Sequence, residues 1–137
     1  MGKHIIKTWS STQAVVALSS GEAEYYALVK GASVALGLKS MMQEFGAETQ
    51  VTVKTDSKAA KGIADRRGLG KTRHIEVNQL WVQNAAREGR IRIEKVPGEK
   101  NLADALTKHL DHTTLEWHRD NVGLTIRQGR HVLMLQV

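Results

Sequence analysis

Val51-Thr52-Val53-Lys54-Thr55-Asp56-Ser57-Lys58-Ala59-Ala60 is the stretch from which the fold can be read. Its first half is a short β-branched run, the composition that suits a pleated, half-buried strand. Its second half opens a helix, so Asp56 falls where the strand gives way to the helix. In α/β proteins ligands and catalytic groups collect at the carboxyl ends of strands. The surrounding segments matter for function to the extent that they bring further carboxylates to Asp56.

Upstream, Ile5 to Trp9 and Ala14 to Leu18 are β-prone runs joined by Ser10 to Gln13, which fits a hairpin or one long bent strand. Ser19-Ser20-Gly21-Glu22 has the spacing of a capping box, in which a serine and a glutamate satisfy free amides at a helix start. A long helix should follow, with Ala23, Ala27, Val34, Leu38, Met41, Met42 and Phe45 as its apolar stripe and Gly46 as its stop.

Downstream, Arg66-Arg67-Gly68-Leu69-Gly70-Lys71 is a basic, glycine-bearing loop. Thr72 to Arg87 reads as an amphipathic helix with Ile75, Gln79, Val82 and Ala86 on one side, ended by Glu88-Gly89. Arg90 to Val96 alternates as a strand, and Pro97-Gly98 breaks it. Asn101 to Leu110 reads as a third helix with Leu102, Ala105, Leu106 and Leu110 inward. Thr113 to Val122 fits a short helix packed through Leu115, Val122 and Trp117 or His118, and Leu124 to Val137 a hairpin turning at Gln128-Gly129. Strands separated by helices imply crossover connections, hence a mixed sheet with parallel strands. The 137 residues suit one domain, with a core over about residues 4–124 and an extension over 125–137.

Twenty Lys and Arg against fourteen Asp and Glu give a formal charge of +6, which favours polyanionic partners, nucleic acid first. The basic residues concentrate between Lys54 and Arg92, a stretch equally compatible with a solvated helical surface. Aromatic residues make up 4% of the chain, too few for base-stacking platforms, so contact with the nucleic-acid backbone fits better than base reading. The absence of cysteine removes disulfide frameworks and zinc ribbons, and the six histidines show no HExxH spacing. No apolar run reaches the length of a membrane-spanning helix, and the N-terminus lacks signal-peptide organisation.

Three acids sit at element ends beside apolar residues that fix their direction: Glu24, Asp56 and Asp104. Glu24 is in line with Leu28, Ala32 and Ala35, which aims it near the sheet. Each acid also has an ordinary explanation. Asp56 could cap a helix, Asp104 could belong to an Asn-x-x-Asp helix start, and Glu24 could simply favour the helix dipole. Convergence of three anions would be unfavourable without cations, because like charges raise one another's pKa. Mg²⁺, with its preference for oxygen ligands and retained water, would relieve it.

Leu18 to Leu28 (LSSGEAEYYAL), Val53 to Ala64 (VKTDSKAAKGIA), Thr72 to Glu76 (TRHIE) and Val96 to Leu110 (VPGEKNLADALTKHL) closely resemble the ribonuclease H domain that ends the polyprotein of copia-type LTR retrotransposons. The resemblance runs from about Ile5 to Leu124 and rests on four ordered motifs with fitting gaps. It implies a ribonuclease H-like α/β fold, a mixed sheet flanked by helices. It also implies a hydrolase that cuts the RNA strand of RNA/DNA hybrids with two Mg²⁺ or Mn²⁺ ions, linked to an upstream reverse transcriptase region. The family's metal-binding carboxylates map onto Glu24, Asp56 and Asp104, with Lys58, Lys61, Arg66, Arg67, Lys71 and Arg73 expected to grip phosphates. The implied setting is intracellular: the cytoplasm, a virus-like particle or the nucleus.

Two departures from the family stand out. Its fold begins with two strands that are expected to be missing here, the first carrying another metal-binding Asp, and no Asp precedes Asp56 in this chain. The apolar run His131 to Val137 could supply a strand instead. In place of the His that cellular ribonucleases H often carry before the last catalytic helix, this chain has Pro97-Gly98-Glu99-Lys100, where Glu99 is either a proton-handling group or a solvated acid. His74 matches the family's His-Ile-acid motif and implies a positioning role. A catalytically incomplete remnant that only binds nucleic acid is the main alternative; an integrase-like order of acids fits poorly, because here the helical Glu comes first.

Overall fold

Helix α1 (Ser20–Glu44) begins where the serine-rich cap places it and ends at Gly46, whose φ of +76° is a left-handed turn open to glycine at little cost. These coordinates come from a computed structural model, which describes residues 4–70, 75–106 and 108–126. The chain divides into two units, Thr12–Asn101 and a second formed by Met1–Ser11 with Leu102–Val137.

In the first unit, strand β1 (Val51–Thr55) leads into helix α2 (Lys58–Asp65). Helix α3 (Trp81–Arg87) follows and delivers the chain to strand β2 (Ile91–Lys95). The strands pair in parallel, from Val51 opposite Ile91 to Thr55 opposite Lys95. A parallel pair needs a crossover, and α2 and α3 supply it. Helix α2 packs against α1, α3 and both strands. The core gathers Tyr25, Leu28, Val29 and Ala32 of α1, Ala60 and Ile63 of α2, Val82 and Ala85 of α3, and Val51, Ile91 and Ile93 of the sheet. Among the described residues this is a mixed α/β arrangement with one two-stranded parallel sheet, smaller than the expected mixed sheet.

The inward face of α1 differs from the expected stripe. Ala27 and Phe45 are exposed, the latter at 80%, while Tyr25, Tyr26, Leu28, Val29 and Ala32 are buried. Aromatic rings bury far more apolar area than alanine methyl groups, so the two tyrosines set the helix rotation. Tyr25 can be buried because its phenol donates to the Gln79 carbonyl at 2.9 Å.

That bond also accounts for a second difference. Instead of one helix from Thr72, a 3-10 turn over Val77–Gln79 precedes α3. The Gln83 amide, which an α-helical ladder would aim at Gln79, donates to Leu80 O at 3.0 Å, and Gln79 O receives Tyr25. Residues 71–74, including the start of the expected helix, lie outside the described residues.

No strand forms over residues 4–18, where a hairpin or bent strand was expected. A strand is stabilised by a neighbour that takes its backbone donors and acceptors and by a core that takes one of its faces. Val15 and Ala17 do pack against the core, but among the described residues no neighbouring strand takes the backbone donors and acceptors of residues 4–18.

The second unit holds a 3-10 helix over Leu102–Leu106 and helix α4 (His112–Asn121). The expected α-helix from Asn101 to Leu110 is thus shorter and tighter. Short helices depend on burying an apolar face, and Leu102 at its start is exposed. Asp111 caps α4, accepting from the Thr114 amide at 2.9 Å and from the Thr113 and Thr114 hydroxyls. Those bonds hold its carboxyl well below the usual carboxylate range. His118 is the buried residue of α4, its ring edge-on to Trp117, while Leu115, expected inward, is exposed. The strand-like run His131 to Val137 and most of the expected terminal hairpin lie outside the described residues.

Candidate carboxylate site and basic loop

Asp56 is half-buried at the end of β1, as its place in the sequence suggests. It is not a helix cap. Ser57 caps α2, its hydroxyl accepting from the Ala60 amide at 3.1 Å, while the Thr55 hydroxyl accepts from the Ser57 amide at 3.1 Å. Among the described residues no hydrogen bond or ion pair engages the Asp56 carboxylate.

The same division of labour recurs at the start of α1. The Ser19 hydroxyl accepts from the Glu22 amide, and buried Glu22 reaches back to the Leu18 amide at 2.9 Å, one residue beyond the usual capping-box partner. Glu24 is left with no partner among the described residues, and it is more exposed than its alignment with Leu28 and Ala32 suggested.

The two helix starts meet. A β-carbon added at Gly21 would lie 2.7 Å from the Ala59 β-carbon, so glycine at this place is what allows α1 and α2 to approach. Gly21 is three residues before Glu24, and Ala59 three residues after Asp56. On the far side, the turn after β2 closes on the same acid: the Val96 amide donates to Thr55 O at 2.9 Å, and Gly98 sits with space for a β-carbon 3.7 Å from Asp56 Oδ2. Glu99, in the 3-10 turn Gly98–Lys100, is exposed.

Asp104 belongs to the second unit and has a different role. It pairs with Lys108 at 2.7 Å, and its side chain is 15% exposed. Among the described residues no three His, Asp or Glu side chains gather into a metal-holding group. The donor set at α1 and α2 nonetheless has the right chemistry for a hard divalent cation, which is often held by one or two carboxylates with water and phosphate completing its shell.

Beside α2 lies the basic loop. Lys58 and Arg67 are exposed, and Lys61 forms an i,i+4 ion pair with Asp65. Such a solvated pair contributes at most about 1 kcal/mol and yields easily to a phosphate. Arg66 turns the other way: its guanidinium covers Gly70, where a β-carbon would fall 2.9 Å from Nη1. Burial pushes the Tyr25 phenol up to about 12, and the positive field of Arg66 opposes that rise. The raised value means that stability from the neutral phenol is complete below its unfolded value and is lost as pH rises through about 12. Lys71, Arg73 and His74 lie outside the described residues.

Sequence reasoning passed over Gly21, Ser57 and Gln83. Each left a signal: a glycine inside a helix start, a serine three residues before a helical amide, and a polar residue beside Val82 on a helix that must be buried.

A retrovirus-related Pol polyprotein from transposon TNT 1-94 of Nicotiana tabacum is 30% identical over 120 residues, which take in 85% of this chain and 9% of the polyprotein. The chain is similar to a segment of plant transposon Pol polyproteins. A second such polyprotein, from transposon RE1 of Arabidopsis thaliana, is 27% identical over 128 residues, 91% of this chain and again 9% of the polyprotein. The chain thus spans less than a tenth of the length of these Pol relatives. No family model matches the chain, and no solved structure matches it. Among the described residues no helix is long and apolar enough to cross a membrane.

Proposed function

We propose that this chain is a Pol-derived ribonuclease H-type endonuclease domain that hydrolyses the RNA strand of RNA/DNA hybrids. The observation that carries the reading is the pair of uncommitted carboxylates, Glu24 and Asp56, on helix starts that pack together while neighbouring residues do the capping. The similarity to Pol polyproteins supports the Pol origin of the domain.

In this reading Glu24 and Asp56 hold one Mg²⁺ or Mn²⁺ ion, and Asp104 is a further metal-ligand candidate that would exchange its Lys108 partner for an ion. Bound metal supplies an activated water and charge stabilisation for phosphodiester hydrolysis. Lys58, Lys61, Arg67, Lys71 and Arg73 hold the phosphate backbone, Arg66 adds to the positive field from its place over Gly70, and groove shape and the 2′-hydroxyl distinguish RNA from DNA. An upstream reverse transcriptase region would be the natural neighbour in a polyprotein, and the cytoplasm, a virus-like particle or the nucleus the natural setting.

A second reading, a remnant that binds hybrids without cutting them, is favoured by one observation: Asp104, the third acid, is already engaged by Lys108. A cleavage assay on a labelled hybrid with Mg²⁺ or Mn²⁺ separates the two. Turnover that Asp56→Asn reduces to the metal-free level supports the enzyme, and tight binding with no turnover supports the remnant. Cleavage unchanged in Asp56→Asn would overturn the assignment of Asp56.

A further inference from the structure

Gln83 is a buried amide with every polar atom used. Its Nε2 donates to Ile63 O at 2.8 Å and to Gly68 O at 3.0 Å, and its Oε1 accepts from the Gly68 amide at 2.9 Å. The side chain is 3% exposed, so these bonds form away from water, where a lost partner leaves the remaining group unsatisfied. Three bonds from one side chain thus tie α3 to the end of α2 and to both backbone groups of Gly68.

Gly68 is the centre of the basic loop. It has a φ of +70°, and Arg66 and Arg67 immediately precede it. Fixing both its amide and its carbonyl fixes the peptide planes on either side, and the first of these planes carries the backbone of Arg67. The two arginines leave in different directions. Arg66 folds over Gly70 and towards Tyr25, whereas Arg67 is exposed, with no partner among the described residues.

Resting on the hybrid-binding reading, we infer that Gln83 is a positioning residue for nucleic-acid contact. By clamping Gly68 it holds the backbone at Arg67 in one place, from which the exposed guanidinium reaches one backbone phosphate, while Arg66 stays folded over Gly70. A flexible loop would have to be ordered at each binding event, and the clamp removes that entropic cost beforehand.

The test uses the full chain and a short fluorescein-labelled RNA/DNA hybrid, with binding followed by anisotropy over a series of KCl concentrations and no divalent metal. Arg67→Gln should weaken binding and reduce the slope of log affinity against log salt by about one phosphate contact. Gln83→Met, close in volume but without the three bonds, should reduce the slope similarly, and the double variant should be no weaker than Gln83→Met alone. A merely structural role for Gln83 would lower thermal stability and leave the Arg67 effect intact, so additive losses overturn the inference while the hybrid-binding reading stands. If Gln83→Met does not fold, amide exchange on the unaltered chain decides: the Gly68 amide should be protected without hybrid, and free exchange there overturns the clamp. Failure of the unaltered chain to bind the hybrid would overturn the underlying reading, and this inference with it.

Discussion

Asp56 and Asp104 carry the same side chain at similar places, one just ahead of α2 and the other in the first turn of a 3-10 helix, yet their surroundings use them differently. Ser57 takes over the capping at α2 and leaves the Asp56 carboxylate uncommitted, whereas Asp104 is engaged by Lys108 one turn on. A carboxylate becomes available for chemistry when an adjacent residue satisfies the local backbone. The start of α1 repeats the lesson, with Ser19 and Glu22 at work and Glu24 spare.

The largest effect that would break this comparison is at the contact between the starts of α1 and α2. Gly21→Val would drive a branched side chain into Ala59, already 2.7 Å from where a β-carbon would sit. Overpacking of this kind costs about 1–3 kcal/mol, read as a lowered thermal midpoint. An unchanged midpoint would mean that the helix starts are not held together there. A smaller effect sharpens the difference between the two aspartates. Ser57→Ala should cost about 1 kcal/mol in chemical denaturation, the usual loss for a helix cap. No loss would show that Asp56 can take over the cap, and therefore that it is not spared from structural work.

Much of the fold was readable because periodicity and punctuation agreed locally. Val51 to Thr55, Ile91 to Lys95 and α2 formed where alternation and turn residues put them, and Gly46 and Gly89 ended helices with positive φ. What failed depended on partners distant in sequence. The face of α1 was decided by Tyr25 finding Gln79 O, 54 residues away, and the same bond accompanies the 3-10 turn ahead of α3. The β-prone residues 4–18 had the right composition, yet none of the described residues pairs with them as a strand. At the candidate site, the position of Asp56 was legible from the strand-to-helix switch. Its freedom was not, because that depends on which of two adjacent side chains, Asp56 or Ser57, turns to the helix amides. Gln83 was hidden for a similar reason: a polar residue on a buried face shows that partners must exist but not which ones.

The most direct test of the central claim, that Glu24 and Asp56 form a free metal-binding pair, is a Mn²⁺ titration of the ¹⁵N-labelled chain, following paramagnetic broadening of backbone amide signals. Substoichiometric Mn²⁺ should first broaden the amides around Asp56 and Glu24, and Asp56→Asn should abolish that broadening. Broadening centred elsewhere, or unchanged in Asp56→Asn, would contradict it.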